Sequence, residues 1–273
     1  MPSLRLLAAS FLLLSAPFLH AQKPATPDAP PQTAVPTDAT LNPALPTVFV
    51  VGDSTARNGA DLGWGDHFAP LFDTARINVA NRAMAGRSSR TYINEGRWDR
   101  VLAEMKPGDF VLIQMGHNDG GDLGGAKPRG TLKGIGDETQ DVPQTTGPLA
   151  GKTETVHTYG WYLRKYIADT RAKGATPILL TCTIRNIWKD GQIERDMGYR
   201  DFEYEVAAAQ HVPIADMATI EADRLQAFGP EKTATLFPID HTHTSAEGAA
   251  LNARDVATAL RNIHSPLAAY LKP

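Results

Sequence analysis

Four short segments of the sequence carry side chains that could act together on an ester carbonyl. In chain order they are Gly52-Asp53-Ser54-Thr55, residues 81–89, Gly116-His117-Asn118-Asp119 and Asp240-His241-Thr242-His243-Thr244. Each segment alone is weak evidence, because a tripeptide such as Gly-Asp-Ser is usually only a turn. Together, in this order, they indicate a single chemical site.

Ser54 is the candidate nucleophile. A serine hydroxyl is too weakly acidic to attack an ester unaided, so an imidazole must accept its proton and later protonate the leaving alcohol. Both His241 and His243 could do this. Side chains three residues apart in a turn can face the same way, so Asp240 and His243 form the better pair, with the carboxylate orienting the ring. We interpret His241 as a structural or supporting residue.

The elements that must position these segments begin with short strands. Apolar runs, several of them β-branched, predict buried parallel strands at five places: Val48–Val51, Ile77–Ala80, Phe110–Met115, Ile178–Ile184 and Val212–Ala215. The first three segments follow the first three of these strands. Because sites in parallel sheets lie at the carboxyl ends of the strands, this is where we expect the chemistry.

Helical patterns lie between the strands. Apolar spacing predicts helices over Trp98–Met105 and from Tyr159 to a stop at Gly174. A last helix follows the fourth segment, and Thr244 with Glu247 three residues later predicts its capping box. Alternation of strand and helix predicts a parallel sheet covered by helices on both faces.

The four segments resemble the signature blocks of the SGNH or GDSL hydrolases. Gly-Asp-Ser-Thr at the front, Asp-His-Thr-His-Thr-Ser at the back and the stretch from Gly86 to Tyr92 are similar to the rhamnogalacturonan acetylesterase branch. The resemblance covers residues 47–264. It implies a flavodoxin-like SGNH hydrolase fold, which is α/β with three layers (α/β/α) around a five-stranded parallel sheet. It also implies catalytic roles for Ser54, Asp240 and His243.

An ester hydrolase also needs donors for the oxyanion that forms on the carbonyl. We expect the backbone N–H groups of Ser54 and Gly86 and the side-chain amide of Asn118 to provide them, since Gly86 has no Cβ to obstruct the substrate. Alone, Asn118 would be read as a turn residue. We expect Asp53 to be structural, with its side chain bonded to nearby loop backbone.

Composition argues against nucleic-acid binding and against a zinc cluster. The 273 residues include 27 basic and 30 acidic side chains, for a net charge of -3, which argues against a nucleic-acid partner. The single cysteine, Cys182, excludes a structural zinc cluster of several thiolates and is expected to pack in the core. A metal site built from His67, His117, Asp240, His241 and His243 is the less favoured alternative. We expect no cofactor.

The termini differ in composition from the middle of the chain. Residues 1–21 have the layout of a secretory signal peptide, with Arg5 before an apolar run, so we expect a secreted or periplasmic protein with no membrane segment after signal removal. Residues 22–46, rich in proline, read as a flexible linker. We expect the catalytic domain over 47–265, a C-terminal tail over 266–273, and a monomer.

Substrate signals are sparser. Residues 81–100 contain five arginines, of which Arg87 and Arg90 are the candidates for holding carboxylates of an acidic sugar polymer. Trp188 could stack on a sugar ring or simply pack. The stretch 120–151 holds nine glycines, and it could shape the cleft or merely decorate it.

The sequence therefore predicts a serine carboxylic ester hydrolase. Its expected substrate is an acetylated polysaccharide or oligosaccharide, of the pectic, rhamnogalacturonan type, which it deacetylates through an acyl-enzyme. Two alternatives stay open: a general carbohydrate or aryl esterase with another acyl preference, and a non-catalytic carbohydrate-binding protein on the same fold.

Overall fold

In the computed structural model, which describes residues 40–59 and 61–273, strands and helices alternate along the chain. The strands are β1 (Thr47–Gly52), β2 (Asn78–Asn81), β3 (Phe110–Gln114), β4 (Thr139–Pro143), β5 (Thr153–His157), β6 (Thr176–Leu180), β7 (Trp188–Lys189), β8 (Gln192–Ile193) and β9 (Ile214–Ala215). The α-helices are α1 (Ser89–Asn94), α2 (Arg97–Glu104), α3 (Tyr159–Ala172), α4 (Arg200–Gln210), α5 (Met217–Thr235) and α6 (Ala246–Asn262). Short 3₁₀-helices span Trp64–His67, Ala69–Leu71, Gly147–Leu149 and Pro266–Tyr270.

Five strands form one parallel sheet in the order β2-β1-β3-β6-β9. In its register, Phe49 of β1 lies beside Ala80 of β2 on one side and Val111 of β3 on the other. The central strands are buried along their whole length, as the unbroken apolar runs predict. The five-stranded parallel sheet is confirmed, and the strand bounds lie within four residues of the predicted ones.

Alternate residues of each strand supply two separate cores. One core joins Phe49, Val51 and Ile113 to side chains of α1, α2, α3 and α4. The other joins Val48 and Val50 to α6, to the start of α5 and to the first two 3₁₀-helices. Because strand side chains alternate between faces, this division gives a three-layer α/β/α architecture, as predicted.

The start of α6 corrects one prediction. Its N-cap is Ser245, whose Oγ accepts the Gly248 amide at 3.2 Å, and the expected capping box of Thr244 with Glu247 is absent from this helix start. The Thr244 hydroxyl instead donates to the carbonyl of Leu62 at 3.2 Å. The tertiary contact decides which of two adjacent hydroxyl residues caps the helix.

Both ends of the described chain pack on the sheet. The Asn42 amide donates to the Asn78 side chain at 2.9 Å, so this part of the predicted linker is attached to β2. Residues 266–273, predicted as a tail, bury Leu267 and pair Leu271 with Phe72. The predicted signal peptide (1–21) and the linker as far as residue 39 lie outside the described residues. Within the described residues, no helix has the length and apolar character needed to span a bilayer.

Candidate active site

Ser54 lies in the turn that leaves the carboxyl end of β1. The Asp53 carbonyl accepts the amides of Ala56 and Arg57, at 3.2 and 3.1 Å, and closes this turn. The Asp53 carboxylate accepts the Thr55 amide at 2.8 Å, so it binds loop backbone as expected. Ser54 itself is 8% exposed. The turn thus brings a nearly buried hydroxyl to the sheet edge.

Asp240 and His243 lie beside this hydroxyl. The Nε2 atom of His243 is 2.9 Å from Ser54 Oγ, and its Nδ1 atom is 2.7 Å from Asp240 Oδ2. Burial alone would raise the pKa of Asp240, but hydrogen bonds from the His243 ring and from the amides of His243 and Thr242 outweigh it and lower the pKa. Asp240 is therefore a carboxylate at neutral pH, and it can orient a ring whose Nδ1 carries the proton.

The loop that holds this pair is fixed to the segment after β6. The Asn186 amide donates to the His241 carbonyl at 2.7 Å. The side chain of His241 is exposed, and His243 alone of the two imidazoles contacts Ser54. His241 contributes backbone to the loop, which agrees with its structural interpretation.

The residues of the three expected oxyanion donors follow β1, β2 and β3 at this edge of the sheet. Gly86 follows β2 with φ of +77°, a conformation that favours glycine. Asn118 follows β3, and its Nδ2 donates to the Arg87 carbonyl at 2.9 Å, which holds the side chain against the Gly86 loop and leaves its second N–H unused by that bond. Among the residues that the structure describes, the amides of Ser54 and Gly86 have no protein acceptor. Such unpaired N–H groups suit an oxyanion.

Gln114, at the end of β3, supports the turn that contains Ser54. The sequence analysis did not identify it. Its Oε1 accepts the Trp64 indole N–H at 2.7 Å and lies 3.1 Å from the Thr55 hydroxyl. Its Nε2 donates to the Thr181 carbonyl at 3.0 Å. Gln114 is completely buried. The sequence signal that could have identified Gln114 is its position as a polar residue at the end of an apolar strand.

Asp119 braces the Asn118 loop. The Ser89 hydroxyl at the start of α1 donates to Asp119 Oδ1 at 2.5 Å, and the Ser89 amide lies 3.2 Å from the same oxygen. Burial raises the pKa of Asp119 to about 7, although these hydrogen bonds partly oppose the shift. Asp119 therefore connects the loop after β3 to the helix that follows the Gly86 loop.

His117 lies between Asp53 and the segment after β6. Its Nε2 is 2.9 Å from the Thr183 hydroxyl, and its buried Nδ1 has no partner among the described residues. Burial lowers the pKa of His117, and the nearby Asp53 carboxylate only partly counteracts this. The ring is therefore neutral at physiological pH.

The structure contradicts the expectation that Arg90 holds substrate. Arg90 is completely buried, both terminal nitrogens donate to the Leu123 carbonyl at 3.1 Å, and Nε lies 3.6 Å from Glu154. Arg87 is also engaged, because its Nε binds the Glu95 carboxylate at 2.9 Å and its Nη1 the Ala85 carbonyl at 2.8 Å. Neither guanidinium is available for a bidentate grip on a ligand.

Trp188 lies in β7, part of the small hairpin with β8 that follows β6. It is half-buried, and its indole N–H donates to Asn186 Oδ1 at 2.8 Å. Asn186 is the residue whose amide binds the His241 carbonyl. Trp188 is thereby connected to the loop of His243 through one residue.

The residues considered for a metal site do not form a cluster of three or more ligands in the described part of the chain. Within residues 40–59 and 61–273, no group of three or more His, Cys, Asp or Glu side chains is arranged to hold a metal ion. His67 instead contacts the Asp61 carbonyl at 2.6 Å. Cys182 is buried and donates to the Met115 carbonyl at 3.0 Å, and burial raises its pKa well above the ordinary value, so it packs as expected.

Comparison with known proteins places most of the chain in one family. Residues 50–251 match the GDSL-like Lipase/Acylhydrolase family. The rhamnogalacturonan acetylesterase of Emericella nidulans is 33% identical over 209 residues, which are 75% of this chain and 80% of that protein. The rhamnogalacturonan acetylesterase RhgT of Bacillus subtilis is 29% identical over 245 residues, 82% of this chain and 93% of that protein.

Solved structures share the fold. Protein YxiM of Bacillus subtilis superposes with a TM-score of 0.63 at 24% identity over 81% of this chain, which spans 58% of the YxiM chain. A catalytic mutant of an acetylxylan esterase from Geobacillus stearothermophilus superposes with a TM-score of 0.52 at 20% identity, over 84% of this chain and 97% of that one.

Proposed function

The chain belongs to the GDSL-like Lipase/Acylhydrolase family, and we propose that it is a serine esterase that removes O-acetyl groups from a pectic, rhamnogalacturonan-type polysaccharide. One observation carries the proposal: Ser54 Oγ, both ring nitrogens of His243 and the Asp240 carboxylate form a continuous chain of contacts of 2.9 and 2.7 Å. This is the arrangement that activates a serine for acyl transfer.

In the first half of the proposed reaction, Ser54 Oγ attacks the acetyl carbonyl carbon while His243 Nε2 takes the serine proton. The carbonyl oxygen becomes negative and accepts hydrogen bonds from the amides of Ser54 and Gly86 and from Asn118 Nδ2. The bond between the carbonyl carbon and the sugar oxygen then breaks. His243 gives its proton to that oxygen, and the acetyl group remains on Ser54.

The second half returns the enzyme to its starting state. His243 Nε2 removes a proton from a water molecule, and the hydroxide attacks the acetyl carbon in the same oxyanion site. The Ser54 oxygen leaves and takes the proton back from His243 as acetate is released. The Asp240 carboxylate stabilises the imidazolium in both halves, and no cofactor takes part in any step.

The names of the relatives support the choice of substrate. Two curated relatives that this chain covers over most of their length are rhamnogalacturonan acetylesterases, at 33% and 29% identity. We retain Trp188 as a proposed stacking surface for a sugar ring, since it is joined to the His243 loop through Asn186. Arg87 and Arg90 are not retained.

Export and oligomeric state are also proposals. A polysaccharide substrate lies outside the cell, which fits a signal peptide at residues 1–21, a linker that ends before the attached residue Asn42, and a secreted or periplasmic enzyme. We propose that the enzyme acts as a monomer, since one chain supplies Ser54, Asp240, His243 and Asn118. N-terminal sequencing of the exported protein tests cleavage, and light scattering tests the mass in solution.

The substrate proposal is tested by measuring acetate release from three acetylated materials in parallel: rhamnogalacturonan, xylan and 4-nitrophenyl acetate. We expect the rhamnogalacturonan to give the highest kcat/KM. Equal or higher values with xylan or the aryl ester would favour a general esterase. Saturable binding of rhamnogalacturonan without acetate release would favour a non-catalytic binding protein.

A further inference from the structure

Some of the arginines around the site already form a salt bridge with a carboxylate of the protein, and others do not. Arg87 binds Glu95 at 2.9 Å, and Arg185, after β6, binds both oxygens of Glu194 at 2.9 and 3.0 Å. A guanidinium with a carboxylate partner has little remaining attraction for a second one. A substrate carboxylate should therefore be bound by an arginine that lacks such a partner.

Arg129 is such a residue, and it lies in the glycine-rich stretch 120–151. Its side chain makes one long hydrogen bond, from Nη1 to the Gly86 carbonyl at 3.4 Å. In the described part of the chain, no carboxylate lies within ion-pair distance of it. The guanidinium is partly buried, and a hydrogen bond of this length is weak. Most of its donors are therefore unoccupied.

The backbone around Arg129 is held in place. The Asp122 carbonyl accepts the amides of Arg129 and Gly130 at 2.9 and 2.8 Å, which closes a tight loop. The Gly121 amide donates to the Asn118 carbonyl at 3.1 Å and connects this loop to the oxyanion residue. The position of the guanidinium is thus set by the fold rather than by a salt bridge.

Arg129 is also adjacent to the oxyanion donors. Its Nη1 lies 3.8 Å from the point where a Cβ on Gly86 would be. The Gly86 amide is one of the donors proposed for the acetyl oxygen, so the cation lies beside the residue that carries this donor. The acetyl group is uncharged in the ground state, and the amides of Ser54 and Gly86 and Asn118 Nδ2 are already proposed to bind the oxygen when it becomes negative. The guanidinium of Arg129 is therefore available for another negatively charged group of the substrate.

We propose that Arg129 binds a carboxylate of the acidic sugar in the substrate and so makes the enzyme select acetylated uronate polymers over neutral ones. This inference rests on the proposed esterase function and specifies its substrate class. The planar guanidinium matches a carboxylate bidentately, and a partly buried position strengthens the pair. In this proposal, the glycine-rich stretch 120–151 positions Arg129 beside the loop that contains Gly86.

The test compares the wild type with Arg129→Gln and Arg129→Lys. The substrates are acetylated rhamnogalacturonan oligosaccharides and the same oligosaccharides with their carboxylates methyl-esterified. We expect Arg129→Gln to lower the ratio of kcat/KM, acidic over esterified, about tenfold, mainly through KM, and Arg129→Lys to restore part of it. Arg195→Gln is the matched control, since Arg195 is exposed and paired with Asp223, and it should keep the wild-type ratio.

A second measurement does not depend on polymer deacetylation. Unacetylated oligogalacturonate should inhibit the hydrolysis of 4-nitrophenyl acetate by the wild type, and Arg129→Gln should weaken this inhibition about tenfold. Urea denaturation checks that the variants are folded. The wild type could fail to deacetylate both the acidic and the methyl-esterified oligosaccharides while its inhibition by oligogalacturonate still depends on Arg129. In that case the proposed substrate is wrong and the carboxylate-binding role of Arg129 is supported.

Two outcomes would overturn the role of Arg129 while leaving the esterase proposal intact. One is an unchanged ratio and unchanged inhibition in Arg129→Gln. The other is an equal loss of activity on the acidic and the esterified substrate, which would mean that Arg129 only supports the Gly86 loop.

Discussion

The Asp240 carboxylate binds both the backbone and the ring of His243. Its Oδ1 accepts the His243 amide at 2.8 Å, and its Oδ2 lies 2.7 Å from the ring Nδ1. The two bonds together fix the ring orientation and require the proton on Nδ1. The lone pair of Nε2 then faces Ser54 Oγ, which is the arrangement a general base needs.

Asp240→Asn should therefore damage catalysis more than folding. An amide nitrogen can replace Oδ2 beside Nδ1 and reverse the tautomer, so Nε2 would carry a proton and could not accept one from Ser54. We expect kcat to fall about 10³–10⁴-fold, measured with 4-nitrophenyl acetate. Asp223→Asn, a change at an exposed carboxylate far in sequence from the loop, is the control. A loss below tenfold in Asp240→Asn would contradict this role.

Asn118→Ala should remove one oxyanion donor and leave Ser54, Asp240 and His243 in place. We expect kcat to fall about 10²–10³-fold with a smaller change in KM, because the lost hydrogen bond forms mainly in the transition state. Steady-state kinetics of acetate release measure both constants. Asn262→Ala, at the exposed end of α6, should behave as wild type. An equal effect of the two substitutions would show that Asn118 is only a turn residue.

Gln114→Leu should destabilise the fold from beneath the Ser54 turn. The substitution leaves the Trp64 indole N–H and the Thr181 carbonyl without their buried partner. We expect the free energy of unfolding to fall by about 2–4 kcal/mol, measured by urea denaturation. Gln140→Leu, at an exposed position of β4, should change it by less than about 0.5 kcal/mol. A matching small change in Gln114→Leu would refute the supporting role.

Three buried carboxyl groups should make stability depend on pH. Burial raises the pKa of Asp119 to about 7 and the pKa values of Glu203 and Glu221 to about 8, so the folded protein holds protons that the unfolded chain releases near pH 4. Their contribution to the free energy of unfolding is fully present below about pH 4. It is lost as the pH rises through 7 and 8. His117 acts in the opposite direction, because burial lowers its pKa.

The variant Glu203→Gln separates the effect of a buried carboxyl group from that of His117. We expect Tm to be lower at pH 8.5 than at pH 5, by about 2–4 °C for each kcal/mol lost. Glu203→Gln should make this difference smaller, because glutamine cannot ionise, and it leaves His117 unchanged. Calorimetry at the two pH values measures both. A pH difference that is the same in wild type and Glu203→Gln would show that Glu203 is not protonated in the fold.

The positions of Ser54, Asn118 and His243 could be expected from the sequence for a simple reason. Each follows or precedes an element with a strong local pattern, and parallel strands bring their carboxyl ends to one edge. The backbone of the site is thus nearly determined by strand order. The same argument predicted two packed faces of the sheet.

The partners of long polar side chains could not be predicted in this way. Arg90 and Arg129 are both arginines near the site, yet Arg90 is buried against Leu123 and Glu154 whereas Arg129 reaches the Gly86 loop. Which carboxylate or carbonyl a guanidinium contacts depends on residues that are 33 or more positions away in the sequence, and local spacing carries no information about them. The capping residue of α6 was misassigned by one position for a similar reason, since Leu62 binds Thr244.

The role of Ser54 as the nucleophile is tested by the turnover of Ser54→Ala. Acetate release from acetylated rhamnogalacturonan and from 4-nitrophenyl acetate is measured for the wild type and the variant, with matching urea denaturation curves as proof of folding. We expect kcat to fall by about 10⁴-fold or more on both substrates. A folded Ser54→Ala that retains turnover within tenfold of the wild type would contradict it.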